Sequence, residues 1–387
     1  MKNHLFIYWG TILVLAAATG VSAQQAPACS HIGSDFELPE IRIVVNMEAD
    51  YTDPEDPDRH EKVRVKEAEL ALQGHPYPGI RGDFVAAFEQ QYHDSESSTE
   101  THVEEAYVTF LDLPADLQAV MGRKFIGFGR LNAIHPHHWA FTQTPLVLDN
   151  LFGEHPWYDD GVLASIQVPH PAECDIKASA GVWNGRSLEH SHGDEEDADH
   201  NHESEADHED HEEHEYDHED HPLVEWDDHV FTGRVSAGFP FSETLDAQLG
   251  CSIAADQGQR NQLYGVDLVV GFRETGSARK ARWHTEAFFM DDGERGTSPF
   301  GLFSYVTYAP NPYWEYGGMY DFTELLEDDG ENAWAGSGFV TRYLTHATYL
   351  RVQYRYTEFS DDAYEAEHLA SMQLVWGIGP HAHHMDD

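Results

Sequence analysis

Apolar and polar positions alternate with a period of two along much of the chain, in segments too short for helices and separated by turn residues. Between 346 and 358, Thr348, Leu350, Val352, Tyr354 and Tyr356 oppose Tyr349, Arg351, Gln353 and Arg355. Val266, Leu268, Val270 and Phe272 oppose Asp267 and Arg273, and Phe231, Val235, Ala237 and Phe239 oppose Arg234 and Ser236. Successive side chains of a strand point to opposite faces, so each such segment has one greasy side and one polar side. About sixteen strands are predicted, at 41–49, 62–73, 80–92, 102–112, 117–125, 160–168, 175–183, 229–239, 244–255, 261–273, 279–290, 299–309, 313–322, 333–343, 346–358 and 366–378. The second breaks phase, Val63 and Val65 lying on one face and Leu70 and Leu72 on the other, which a β-bulge would repair.

The expected fold is all-β: a transmembrane antiparallel barrel over 41–378, with 14 to 18 strands compatible with the pattern. The connections form a second pattern. From the first hairpin onward every other one is short, as at His75–Gly79, Leu113–Asp116, Pro240–Glu243, Pro310–Pro312 and Leu344–Thr345. Those between are mostly longer and acidic: 50–61, 93–101, 126–159, 184–228, 291–298, 323–332 and 359–365, with 256–260 the short exception. Outer-membrane barrels sort their connections this way, with brief periplasmic turns and long external loops.

Residues 1–23 have the order of a secretory signal, with Lys2 and His4 ahead of the apolar run Leu5 to Ala18 and the small residues Val21-Ser22-Ala23 at a cleavage position. Residues 24–40 then form a periplasmic N-terminal segment and 379–387 a C-terminal tail. Beyond the signal no apolar stretch approaches the roughly 20 residues of a membrane helix, so any crossing is by strands. Only Cys29, Cys174 and Cys251 occur, without the spacing of a thiolate metal site. Cys29 and Cys174 map to the periplasmic side and could pair, whereas Cys251 falls on the lipid face.

Charge narrows the partners. The 22 Lys and Arg face 70 Asp and Glu, a formal net charge of −48. That balance excludes nucleic acid, which needs a basic footprint, and favours cations. Much of it sits in 184–228, a disordered external loop by composition, where His190, His192, His200, His202, His208, His211, His214, His218 and His221 are interleaved with Asp and Glu. Imidazole and carboxylate are ligands for zinc, and for copper or nickel on ligand type alone. Spacings of two, three and four residues among them offer many weak, exchangeable sites rather than one tightly held cofactor. The other reading is a solvated acidic loop whose histidines tune its charge near pH 6.5.

The connection 126–159 differs in being apolar, which predicts that it folds into the barrel and narrows it. His135, His137, His138 and His155 would then stand near the constriction, with Asp149 and Glu154 able to complete a transient cation site; histidines packed beside Trp139 and Trp157 are the plainer alternative. The words Gly122-Arg123-Lys124-Phe125, Phe128-Gly129-Arg130-Leu131-Asn132, His135-Pro136-His137, Thr144-Pro145-Leu146-Val147-Leu148 and Phe152-Gly153-Glu154, with the closing Gly379-Pro380-His381, resemble a family of bacterial porin-like proteins known as zinc-regulated outer-membrane proteins. The resemblance implies an outer-membrane barrel tied to zinc supply. Some of its members are labelled TonB-dependent receptors, but this chain is short for a plug inside 22 strands.

The expectation is an outer-membrane, porin-like channel that concentrates and admits divalent metal ions, zinc foremost. Its partners would be outer-membrane lipid and divalent cations, and association as a homotrimer is compatible with it. The competing reading is a soluble periplasmic zinc-binding protein with a His-rich loop. No nucleophile elbow or paired-carboxylate framework occurs, so no enzyme and no catalytic residues are expected.

Overall fold

The computed structural model describes residues 39–53, 62–93, 96–153, 155–168, 174–185, 224, 226, 228–293, 295–326, 330–360 and 364–379. They form sixteen strands in one ring: β1 (Glu40–Asp53), β2 (Lys62–Tyr77), β3 (Ile80–His93), β4 (Glu96–Leu113), β5 (Leu117–Phe125), β6 (Tyr158–Val168), β7 (Asp175–Trp183), β8 (Val230–Pro240), β9 (Leu245–Asp256), β10 (Asn261–Arg273), β11 (Lys280–Asp292), β12 (Phe300–Asn311), β13 (Trp314–Glu324), β14 (Asn332–Thr345), β15 (Thr348–Phe359) and β16 (Glu367–Ile378). Each pairs antiparallel with its sequence neighbours, and β1 closes the barrel on β16, from Ile43 opposite Ile378 to Asp53 opposite His368. A closed ring satisfies every strand edge, the condition for a sheet to sit in hydrocarbon.

The predicted faces are the observed ones. Val352 and Tyr354 stand on the outside while Arg351 and Gln353 are buried in the lumen, and Val266 is outside while Asp267 is buried. Cys251 is an exposed free thiol on the outer wall between Leu249 and Ile253. Aromatic side chains gather on the outer face towards both ends of the wall. Tyr308, Trp314 and Tyr316 lie at the short-turn end, and Tyr264, Phe289, Tyr320 and Tyr356 towards the long-loop end. Amphipathic rings at the two interfaces of an apolar belt are a hallmark of such barrels.

Three boundaries differ from expectation by four residues or more, one being the end of β2, which runs on to Tyr77. β1 continues to Asp53, and β4 begins at Glu96, so the acidic connection predicted at 93–101 is mostly a hairpin extension in which His93 pairs with Glu96. Its Ser and Thr residues read as loop by polarity, yet polar residues serve well in a strand that rises above the membrane. The signal, most of the N-terminal segment, the tail beyond Gly379, Cys29 and residues 186–223 of the His-rich loop lie outside the described residues.

Two bulges shape the wall near the site. Asn46 pairs with Glu67 but Met47 with Val65, which leaves Lys66 as an extra residue in β2 and accounts for the broken phase there. Val85 pairs with Glu105 but Ala86 with Val103, leaving Glu104 extra in β4. A bulge lets two consecutive side chains share a face. As a result Glu104 and Glu105, adjacent in sequence, are both buried towards the lumen.

The connection from β5 to β6 folds into the barrel. Asn132 ties its neck, donating from Nδ2 to the carbonyls of Ile126 and Trp157 at 2.8 and 2.9 Å and accepting the Trp157 N–H on Oδ1 at 2.7 Å. Glu286 of β11 accepts the N–H groups of Arg130 and Leu131 at 3.1 and 2.8 Å. Gly129 has φ of +66°, and a Cβ there would strike that carboxylate, so only glycine permits the approach. Further in, α1 (Leu146–Phe152) runs between Pro145 and Gly153 and packs on β12 to β14. Arg351 donates to the Phe141 carbonyl at 3.1 Å, and Gln353 accepts the Thr142 N–H at 2.7 Å.

Candidate metal centre

The inward loop has two sides. Phe128, Leu131, Trp139, Phe141, Val147, Leu151, Phe152 and Trp157 form one buried apolar cluster with wall residues of β8 to β14, among them Val230, Leu263, Phe288, Phe303 and Phe339. Trp226, near the end of the His-rich connection, stacks on Trp157 at 5.2 Å. Against β1 to β4 the loop presents imidazoles instead, and the wall answers with carboxylates.

His135 and His137 flank Pro136 in a short 3-10 turn, which aims both rings at the same part of the wall. Nδ1 of His135 lies 3.3 Å from Oε2 of Glu69 and 3.4 Å from Oε2 of Glu104. Nδ1 of His137 lies 3.4 Å from the same oxygen of Glu69 and 3.7 Å from Oε2 of Glu67. All five side chains are buried. Among the described residues, Glu69 Oε2, Glu104 Oε2, His135 Nδ1 and His137 Nδ1 have no aligned hydrogen-bond partner. Buried polar atoms are rarely left so, and these four face one another.

The spacing is one that a metal ion could use. A tetrahedral zinc with bonds of about 2.0–2.1 Å holds its ligand atoms about 3.3–3.4 Å apart. Three of the measured separations have this length. Glu69, His135 and His137 form one group able to hold an ion, and Glu67, Glu69 and Glu104 form a second that shares Glu69. Three protein ligands leave a coordination position open, and Glu67 or Glu104 stands ready to take it.

Outer partners fix these groups. Oε1 of Glu69 accepts from Arg42 at 2.9 Å, which turns Oε2 towards the histidines. Nε2 of His135 faces Oε2 of Glu105 at 3.4 Å, while Lys124 holds Oε1 of Glu105 at 3.2 Å. A carboxylate behind a ligating imidazole sets its orientation and raises its basicity.

Burial opposes protonation of His135, but the carboxylates of Glu69, Glu104 and Glu105 outweigh it and raise its pKa well above the ordinary imidazole value. Burial lowers that of His138 far below it, and the neighbouring His137, His135 and Arg42 add to the effect. His138 therefore stays neutral. Together with His137 it lines a cavity of about 1030 Å³ whose wall includes Pro240, Pro312 and Ala347, at the short-turn end of the barrel.

Of the histidines expected near the constriction, the structure thus joins His135 and His137. His138 lies next to His137, their rings 4.3 Å apart, but faces the cavity. His155 stands apart, with Nε2 3.5 Å from Glu89. Asp149 is exposed on α1, which packs on β12 to β14, and is not the completing carboxylate. Glu154 lies outside the described residues, as do His190, His192, His200, His202, His208, His211, His214, His218 and His221. The carboxylates that face His135 and His137, namely Glu67, Glu69, Glu104 and Glu105, were missed from sequence. Their traces were the phase break in β2 and the adjacent acids of β4.

No family model matches the chain. A protein of Aquifex aeolicus described as uncharacterized is 46% identical over 52 residues, which is 13% of this chain and 11% of that one; the matched stretch is thus a small part of the curated relative's length. Solved structures give broader likeness. The outer membrane channel DcaP of Acinetobacter baumannii aligns over 88% of this chain and 97% of its own with a TM-score of 0.55 and 11% identity. An anion-selective porin from Comamonas acidovorans covers 88% and 99% at 0.54 and 10%. Salmonella typhi OmpF covers 88% and 97% at 0.57 and 9%. Identities this low speak for the fold alone, and the fold is that of a porin.

Proposed function

We propose that the chain is an outer-membrane channel specialised for divalent metal ions, zinc first among them, and that ions pass the barrel waist through the centre formed by Glu69, His135 and His137. Location in the outer membrane of a Gram-negative-type bacterium follows from the closed ring and its apolar outer face. A soluble periplasmic binding protein would bury that face. Here Val235, Leu249, Val306, Val352 and Met372 all stand open to the surroundings.

The observation carrying the metal reading is the convergence, at zinc-like spacing, of buried nitrogen and oxygen atoms that lack aligned hydrogen bonds, beside an apolar loop packed on the rest of the wall. A non-selective pore has no use for such a site, because a polar wall in contact with water conducts as well. An open coordination position and flanking carboxylates suit an ion that must enter and leave. The histidine- and acid-rich stretch 188–222 fits the same work, raising the local ion concentration at the outer mouth. Imidazole with carboxylate admits copper and nickel as well, and supply selects among them.

The test is zinc influx into liposomes that hold a fluorescent zinc indicator and the purified full-length barrel. Wild-type protein should admit zinc, and His135→Ala/His137→Ala should not, while both show the heat-modifiable gel mobility of a folded barrel. Equal influx through the two would remove the metal reading and leave a general porin.

A further inference from the structure

A second cluster of metal-ligating side chains lies just beyond the buried centre. Oε1 of Glu89 faces Nε2 of His102 at 3.6 Å, and Oε2 of Glu89 faces Nε2 of His155 at 3.5 Å. The two imidazole rings are 5.8 Å apart. Glu89, His102 and Glu104 can bring one ligand atom each within a single ion's reach. Three different elements supply the group: β3, β4 and the returning limb of the inward loop.

Its position gives it a direction. In β4, His102 precedes Glu104 and so lies nearer the long-loop end, and Glu89 in β3 lies beyond the Val85/Ala86 bulge on the same side. Exposure falls along this line. The side chains of His102 and His155 are 25% and 23% exposed and that of Glu89 12%, against 4% for Glu104 and 1% for Glu69 and His137. Glu104 belongs to this group and, with Glu67, to one that shares Glu69 with the buried centre; its buried Oε2 lies 3.4 Å from Nδ1 of His135 and makes no aligned hydrogen bond among the described residues. The bulge that makes Glu104 an extra residue is what brings it within reach of both.

We infer that Glu89, His102 and Glu104, with His155 beside them, form an outer receiving site for a divalent transition-metal ion, which then passes to Glu69, His135 and His137 across the shared Glu104 carboxylate. This rests on the reading of the buried centre as a metal site. Two ions joined by one carboxylate repel, so arrival of a second at the outer site loosens the first, as multi-site conduction requires. Transfer is ligand exchange without redox change. The ion gains a Glu69 or histidine bond as it gives up Glu89 or His102, and Glu104 stays attached.

Crystals of the full-length protein soaked in zinc, with anomalous difference maps recorded at the zinc edge, resolve the two positions and keep them apart from ions held by 188–222. Two peaks are expected in the wild type. Glu89→Gln/His102→Ala should lose the outer peak and keep the inner, and His135→Ala/His137→Ala should do the reverse. His155→Ala, which leaves the wall untouched, should lower the outer occupancy only. No zinc at Glu89, His102 and Glu104 under conditions that fill the inner site overturns the proposal, as does an outer peak that survives Glu89→Gln/His102→Ala. An outer peak without an inner one in the wild type would overturn the buried centre and the transfer, yet leave the outer site standing.

Discussion

Oε2 of Glu69 lies 3.3 Å from Nδ1 of His135 while its Oε1 accepts from Arg42, so one carboxylate joins a wall cation to the imidazole of a loop that crosses the lumen. Glu69→Gln separates these roles, because the amide oxygen can still accept from Arg42 but the anionic ligand is gone. The barrel should fold, and the tightest class of zinc sites should weaken by at least the roughly tenfold to hundredfold that loss of a supporting group alone produces. Competition with a chromophoric chelator, on full-length protein in detergent, measures it. An unchanged tight class would exclude Glu69 as a ligand.

Glu105 touches no proposed ion, yet it faces Nε2 of His135 and is held in turn by Lys124. Glu105→Gln should lower zinc affinity by roughly tenfold to hundredfold through the orientation and basicity of that imidazole. The outer site, which lacks this contact, should keep its zinc in anomalous maps. Loss at both sites would mean that the substitution disturbs β4 as a whole.

Protons and zinc compete for His135. Since its folded pKa is raised well above the ordinary imidazole value of about 6.5, its charged form stabilises the metal-free barrel. That contribution is fully present below the unfolded pKa and is lost as pH rises through the higher folded one. Zinc needs the neutral ring, so its affinity should go on climbing with pH beyond the ordinary histidine range, with proton release on binding. His138, held neutral, adds no proton of its own. Calorimetric titrations in buffers of different ionisation enthalpy report both quantities. An affinity that levels off near pH 6.5 would contradict the assigned environment of His135.

The barrel was legible because its signal is repeated sixteen times: a period of two and alternating connection lengths are local properties, and each strand states them again. Half of the site was legible too, since an apolar connection bearing His135 and His137 has nowhere to go but inward. What sequence could not supply was the wall partner. Asp149 and Glu154 looked closest because they share the loop, whereas the carboxylates that face His135 and His137 come from β2 and β4 through the closure of the ring and two bulges. A bulge changes which face a residue takes without changing composition, and so Glu104 beside Glu105 could not be read as two inward acids.

Removing 188–222 deletes nine histidines and changes no residue of the buried centre. If that stretch gathers ions, the deletion should slow zinc influx into liposomes at scarce zinc and leave it nearly unchanged at saturating zinc. A bacterial host dependent on this channel would then need more zinc to grow. Equal influx at low zinc would favour the other reading, a solvated acidic loop.

Phe141 is fully buried on the apolar side of the inward loop, against Tyr305 and Phe339, and Arg351 holds its carbonyl. Phe141→Ala removes packing of the order of 3–5 kcal/mol when a ring leaves a cavity. Because the ring belongs to the loop and not to the strand ladder, the cost should fall on the docking of the loop and spare the barrel, whose heat-modifiable mobility should persist. A loosened loop opens the half of the lumen it fills. Single-channel conductance for monovalent ions should therefore rise and the preference for zinc should fall. If conductance stays at the wild-type level while the loop becomes accessible to protease, the constriction lies elsewhere in the barrel.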